Sequence, residues 1–171
     1  FGSRVIAATA GEAPYVLDGL LYHQTGLSIE EHYTDTGGAS DHVFGLMPFF
    51  GYRFAPRLRD IKERRLHLLP GQEAGPLLAG MVGDPLAHDH LAAHWDELLR
   101  LATSIRTGTV TASAILRKLS AYPRQNGLAL ALREIGRLER SIFMPDWLQE
   151  IDLRRRTEAG LNKGEARNAL A

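Results

Sequence analysis

The feature that most constrains this chain is an aspartate placed where a strand must give way to a turn. Leu27 to Thr34 is strand-like although mostly polar, and it runs into Asp35-Thr36-Gly37-Gly38, where paired glycines permit a tight turn and close backbone approach. A carboxylate at a strand's end is fixed in direction yet open to a ligand. Around it the pattern alternates. Residues 4–9 read as a short strand, and Pro14 opens an apolar-periodic helix carrying Tyr15, Val16, Leu20 and Leu21 that ends near Gly26. Ser40 can cap a helix with Val43, Phe44, Leu46 and Met47, and Tyr52 to Ala55 resumes as a strand before Pro56. The order to that point is β-α-β-α-β.

From Arg57 the character changes. A charged stretch through Arg65 leads to Leu66-His67-Leu68-Leu69 and a Gly/Pro-rich loop, and beyond Pro85 the pattern is helical. Leu98, Leu101, Ala102 and Ile105, with His94, Trp95 and Leu99, give one stripe. Thr111 to Tyr122 gives a second helix closed by Pro123, and Leu128, Leu132, Ile135, Leu138 and Ile142 a third. Trp147 to Arg156 is a further helix, separated by Gly160 from a last one with Lys163, Glu165, Arg167 and Leu170. The residues thus describe an α/β module with a long helical insertion and a final helix.

Composition bounds the chemistry. With 44% hydrophobic and 23% charged residues in 171, the chain reads as one soluble globular domain. No segment approaches the roughly 20 apolar residues of a membrane span, and no leader peptide is evident, so a cytoplasmic setting is expected. No cysteine is present, which excludes disulfides and thiolate metal sites. The formal net charge of zero hides an asymmetry: residues 1–100 hold 8 basic and 13 acidic side chains (net −5), residues 101–171 hold 12 and 7 (net +5). The second half is the phosphate-facing candidate. The chain begins Phe1-Gly-Ser-Arg, directly ahead of an apolar run, which reads as an internal start.

Other residues carry weaker signals. His88-Asp89-His90 with His94 places two imidazoles at i, i+4, a zinc-like spacing that lacks the Glu of the His-Glu-x-x-His pattern. A solvated helix start and a core-edge His94 beside Trp95 account for it as well. His32 lies close enough to Asp35 to support it, although a surface histidine is the simpler reading. Glu165, between Lys163 and Arg167, reads from its own surroundings as a solvated helix residue. Gly37-Gly38 has neither nucleotide-binding glycine spacing.

Seven ordered blocks then point to a family. Val16-Leu-Asp-Gly-Leu-Leu-Tyr-His23, Glu30-Glu-His-Tyr-Thr-Asp-Thr-Gly37, Asp41-His-Val-Phe44, Tyr52-Arg-Phe-Ala-Pro-Arg57, His94-Trp-Asp-Glu97, Arg117-Lys-Leu-Ser-Ala-Tyr-Pro-Arg-Gln-Asn126 and Gly160-Leu-Asn-Lys-Gly-Glu-Ala-Arg-Asn168 closely resemble blocks of Tn-three-type transposases. The resemblance runs collinearly through nearly the whole chain. It implies an RNase H-like catalytic domain, α/β with a large mainly helical insertion and incomplete on its N-terminal side. Residues 1–56 would belong to the RNase H-like part, 57–150 to the insertion, and 151–171 to the start of the C-terminal catalytic helical region.

The resemblance further implies a DDE active site in which two Asp and one Glu hold two divalent ions, Mg²⁺ or Mn²⁺, for DNA cleavage and strand transfer. Asp35 matches the second Asp and Glu165 the Glu; both are expected metal ligands and catalytic residues. The first Asp matches nothing here: Asp18 falls within a helix and Asp41 just after a turn. Its strand would lie between the strand ending at Thr9 and the one ending at Asp35, so the fragment alone is expected to be inactive and marginally stable. Lys163, Arg167 and Arg155 are the expected nucleic-acid contacts. Double-stranded DNA is the implied partner, with homo-oligomerisation of the full-length protein, no membrane, and a bacterial, nucleoid-associated setting. A non-catalytic remnant that binds DNA or a partner chain is the competing reading.

Overall fold

The computed structural model of the chain describes residues 13–22, 28–121 and 126–168. Among these the architecture is mostly helical with one small parallel sheet. The described order is α1 (Ala13–Leu21), β1 (Glu31–His32), α2 (Asp41–Leu46), β2 (Arg53–Phe54), α3 (His88–Ala93), α4 (Trp95–Arg106), α5 (Ala112–Ala121), α6 (Gly127–Gln149) and α7 (Ile151–Asn168). The strand expected over residues 4–9 lies outside the described residues, and the first helix, expected to run to near Gly26, ends at Leu21.

The strand–helix–strand alternation around Asp35 is present as β1-α2-β2, with β1 and β2 parallel in the register Glu31 to Arg53 and His32 to Phe54. The regular strand is shorter than the 27–34 run suggested. Its backbone pairing nevertheless extends past the two-residue core: Arg53 N donates to Glu30 O (2.9 Å), Ala55 N to His32 O (2.9 Å) and Arg57 N to Thr34 O (2.8 Å). Parallel strands need a crossover. Here it is α2, opened by Ser40, whose Oγ accepts from Val43 N at 3.3 Å.

The core gathers under α2 and α6. Val43, Phe44, Leu46 and Met47 from α2 and its continuation pack with Leu132, Ile135, Phe143 and Met144 from α6, all buried. The two helices cross closely because two glycines meet their backbones. A Cβ on Gly136 would collide with the Asp41 carbonyl, and one on Gly45 with the Leu132 carbonyl. The stripe expected over residues 94–105 forms in part: Leu98, Leu101, Ala102 and Ile105 of α4 are buried, at i, i+3, i+4 and i+7. Trp95 and Leu99 face outward, with Trp95 against Phe49 at a ring-centroid distance of 6.0 Å.

Two further helix boundaries differ from the sequence reading. α6 continues through Pro145 to Gln149, and the break falls at Glu150, whose backbone is extended. Gly160 does not separate two helices; it lies inside a continuous α7. Its role is spatial rather than conformational. The Tyr33 ring approaches so closely that a Cβ at residue 160 would stand 2.5 Å from Cδ2, so glycine's cost to the helix is the condition for α7 to lie against the residues leading to Asp35.

Candidate active site at the end of the parallel strand pair

Asp35 follows directly on the last backbone bond of the β1–β2 ladder. Its backbone is extended (φ −69°, ψ 166°), and it caps the short 3-10 turn Thr36–Gly38, its Oδ1 accepting from Thr36 N at 2.6 Å. The turn is closed by Gly38 N to Asp35 O (2.9 Å) and tied to β2 by Thr36 Oγ1 donating to Arg57 O (2.8 Å). Gly38 is required by proximity, since a Cβ there would strike the Thr34 hydroxyl. The carboxylate is therefore aimed by backbone on both sides while remaining 53% exposed.

Cationic groups surround it. Arg57 donates to Oδ1 from Nη2 at 2.9 Å and from Nε at 3.2 Å, and Arg59 Nη2 lies 3.9 Å from Oδ2. The Thr36 N–H first, and then Arg57, hold the carboxyl below the usual carboxylate range. Asp35 is thus an ionised oxygen donor at neutral pH, with Oδ2 the less engaged atom. That charge, exposure and donor chemistry fit a hard divalent cation.

The same arginine reaches the last helix. Arg57 Nη1 stands 3.4 Å from Glu158 Oε2 on α7. Two further contacts fix how α7 runs past β1: Arg156 Nε lies 3.6 Å from Glu31 Oε2, and Gly160 meets Tyr33. Tyr33 itself donates to Glu31 Oε2 at 2.6 Å. Four helical residues advance about 6 Å and two strand residues about 6.6 Å, so helix and strand run in step in the same direction. Asp35 lies two residues beyond Tyr33, and α7 continues four residues beyond Gly160 to residue 164. Glu165, exposed, comes next, and it shares a helix face with Glu158 seven residues earlier.

The basic residues expected to meet nucleic acid are distributed unevenly. Lys163 is exposed on the same two turns as Glu165. Arg155 is 76% exposed and pairs within α7 with Asp152 at 3.3 Å. The Arg167 side chain lies outside the described residues. Among the described residues no group of three or more His, Asp and Glu side chains is arranged to hold a metal ion.

The histidines have structural occupations. His90 Nε2 donates to Gly127 O (2.9 Å), His94 Nδ1 donates to His90 O (3.0 Å), and the two rings lie 4.3 Å apart against the start of α6. His88 is 61% exposed beside Asp89. His32 is not a surface histidine: its ring stacks on Phe54 at 6.2 Å, and burial lowers its pKa to about 4. Asp18 and Asp41 are structural too. Asp18 Oδ1 accepts from Ser113 N at 3.2 Å, and Asp41 pairs with Arg140 at 2.8 Å.

Known proteins align with this sequence from end to end. The family model described as "Tn3 transposase DDE domain" matches residues 1–171. The chain belongs to this family. It is 59% identical over 171 residues to the transposase for transposon Tn501 of Pseudomonas aeruginosa and 60% identical over 171 residues to that for transposon Tn21 of Escherichia coli. It is 46% identical over 169 residues to the transposase for transposon Tn1546 of Enterococcus faecium. In each case 99–100% of the chain is covered, and the domain spans 17% of the relative's length. No described helix of the domain is long and apolar enough to cross a membrane.

Two residues of the site escaped the sequence reading: Arg57, noted there as the start of a charged stretch and the end of a family-like block but given no role, and Glu158. Their spacing of 101 residues hides the bridge they form. The available hint was Arg57 following Pro56 at the end of β2, the position parallel to the Asp35 turn.

Proposed function

We propose that this domain supplies two carboxylates, Asp35 and Glu165, to a DDE active site that cleaves DNA at transposon ends and joins it to target DNA. The observation that carries this reading is the setting of Asp35: a backbone-aimed, ionised, half-exposed carboxylate at a strand's end, against which the helix that bears Glu165 is held through Arg57–Glu158 and Tyr33–Gly160. In this reading residues 1–56 form part of an RNase H-like core, 57–150 an insertion, and 151–171 the start of the C-terminal catalytic region. The third carboxylate comes from another part of the whole protein.

Asp35 and Glu165 would hold divalent cations, Mg²⁺ or Mn²⁺. When bound there, such ions would supply Lewis-acid activation of the attacking and leaving oxygens of phosphoryl transfer. The chain's own residues prepare that chemistry. Thr36 N–H and the 3-10 turn fix the direction of the Asp35 carboxylate, and Arg57 keeps it charged while bridging to Glu158. Lys163, Arg155 and Arg167 offer positive charge to the phosphates of double-stranded DNA on the Glu165 helix. Two transposon ends must be brought together, so the full-length protein acts as at least a dimer.

The test is Mg²⁺- or Mn²⁺-dependent nicking and strand joining by the full-length protein and its Asp35→Asn and Glu165→Gln variants. Loss of both activities with DNA binding intact supports the reading. Full activity in either variant overturns the assignment and favours a DNA-binding role without turnover.

A further inference from the structure

A second charged feature lies on α6, away from the residues used above. Arg133, Arg137 and Arg140 are spaced four and three apart and form one stripe of the helix. Each leans on a carboxylate. Arg133 Nη2 and Arg137 Nη1 donate to Glu134 Oε1 at 3.4 and 3.0 Å, and Arg140 Nη1 lies 2.8 Å from Asp41 Oδ1. Glu134 is only 2% exposed, and its other oxygen accepts from Ala87 N at 3.1 Å.

The arginines are less covered, with side chains 39%, 23% and 13% exposed for Arg133, Arg137 and Arg140. The Nε atoms of all three are buried and lack a hydrogen-bond partner among the described residues. Arg64 adds a fourth charge. Burial chiefly lowers the Arg140 pKa, and Arg64 and Arg137 add repulsion against the attraction of Asp41. Apart from Glu134, the acidic residues of α6, Glu139 and Asp146, share another side of the helix, where Asp146 pairs with Arg53 at 3.2 Å.

Crowding four guanidiniums over two carboxylates costs folding energy through like-charge repulsion, and an anion laid across them would relieve it. Glu134 and Asp41 hold the guanidiniums in place, so little side-chain freedom is left to lose on binding. The stripe extends about 10 Å along α6, against about 3.4 Å of duplex axis per phosphate of one strand. Arginine's planar fork suits phosphate oxygens. We propose that Arg64, Arg133, Arg137 and Arg140 form a contact surface for the phosphate backbone of duplex DNA, in addition to the basic residues of α7. The proposal rests on this cluster and on family membership, and is independent of the metal-ligand assignment of Asp35.

The test is arginine modification by phenylglyoxal, read by peptide mass spectrometry on the full-length protein with and without a random-sequence duplex of about 30 base pairs. Arg64 and Arg133 should be protected about fivefold at low salt and lose that protection at about 1 M NaCl, with the exposed Arg100 and Arg106 of α4 unaffected. As a second measurement, the Arg64→Gln/Arg133→Gln double variant leaves Glu134 paired with Arg137 and Ala87. It should reduce the slope of log affinity against log salt by about 1–2, whereas Arg100→Gln/Arg106→Gln should not. Equal modification rates with and without DNA, or equal slopes for the two double variants, would overturn the proposal. A surface that instead receives an acidic protein segment would give that negative result. Loss of nicking in Asp35→Asn with protection unchanged would leave both readings standing; protection without any metal-dependent nicking would sink only the catalytic one.

Discussion

Asp35 and Glu134 are each carboxylates flanked by two arginines, yet they are built for opposite ends. Glu134 is 2% exposed and saturated: one oxygen takes Arg133 and Arg137, the other the Ala87 N–H. Its partners close around it and bind α6 to the segment entering α3. Asp35 is 53% exposed, its Oδ1 is committed to Thr36 N–H and Arg57, and among the described residues its Oδ2 has only Arg59 at 3.9 Å. A buried carboxylate with a full set of donors is a structural strut. One with a fixed direction and an open oxygen can accept a further cation. Both are carboxylates with two neighbouring arginines, so burial and the unfilled oxygen distinguish them.

That contrast can be broken by experiment. The largest expected effect is on catalysis: Asp35→Asn in the full-length protein should lower strand cleavage by about a thousandfold or more while costing less than about 1 kcal/mol of stability, since its ion pairs are exposed. Activity assays and urea unfolding of the same preparations check both halves. Glu134→Gln should do the reverse. Removing a buried charge from its arginine pair should cost about 3 kcal/mol in urea unfolding, with cleavage per folded molecule little changed. A stable Glu134→Gln would show that the strut is dispensable.

A smaller effect tests the wall behind Asp35. The folded pKa of His32 is about 4, below the unfolded value of 6.5, so between these pH values the unfolded chain binds the proton and the folded chain does not. Stability should therefore fall as pH drops from 6.5 towards 4, by on the order of 2 kcal/mol, and level off below. Thermal unfolding of wild type and His32→Gln across that range should show a shallower slope in the variant, the remainder coming from groups such as His42, whose pKa burial also lowers. Smallest of all, Glu158→Gln should cost under about 1 kcal/mol, because the 3.4 Å pair with Arg57 is partly solvated.

Local signals made part of this legible in the sequence. Glycines after Asp35, Ser40 before an apolar run, and the 3.6-residue period of Leu98, Leu101, Ala102 and Ile105 each act within a few residues, and each appears in the fold where it was read. Gly160 misled for a physical reason. The glycine that weakens a helix is also the one that lets an aromatic ring approach it, and only the distant Tyr33 reveals which applies. The histidines at 88, 90 and 94 carry a similar ambiguity, because i, i+4 spacing brings rings together whether their nitrogens meet a metal or, as with His90 and His94, backbone carbonyls. Arg57, Glu158 and the arginine stripe depend on contacts across the chain that no local period encodes.

The most direct test of the central claim is Mn²⁺ binding, counted by electron paramagnetic resonance on the full-length protein with a transposon-end duplex, in wild type, Asp35→Asn and Glu165→Gln. The account predicts that each variant loses bound Mn²⁺ relative to wild type while still binding the duplex. An unchanged Mn²⁺ count in Asp35→Asn would contradict it, and the open carboxylate at the end of β1 would then be an arginine partner only.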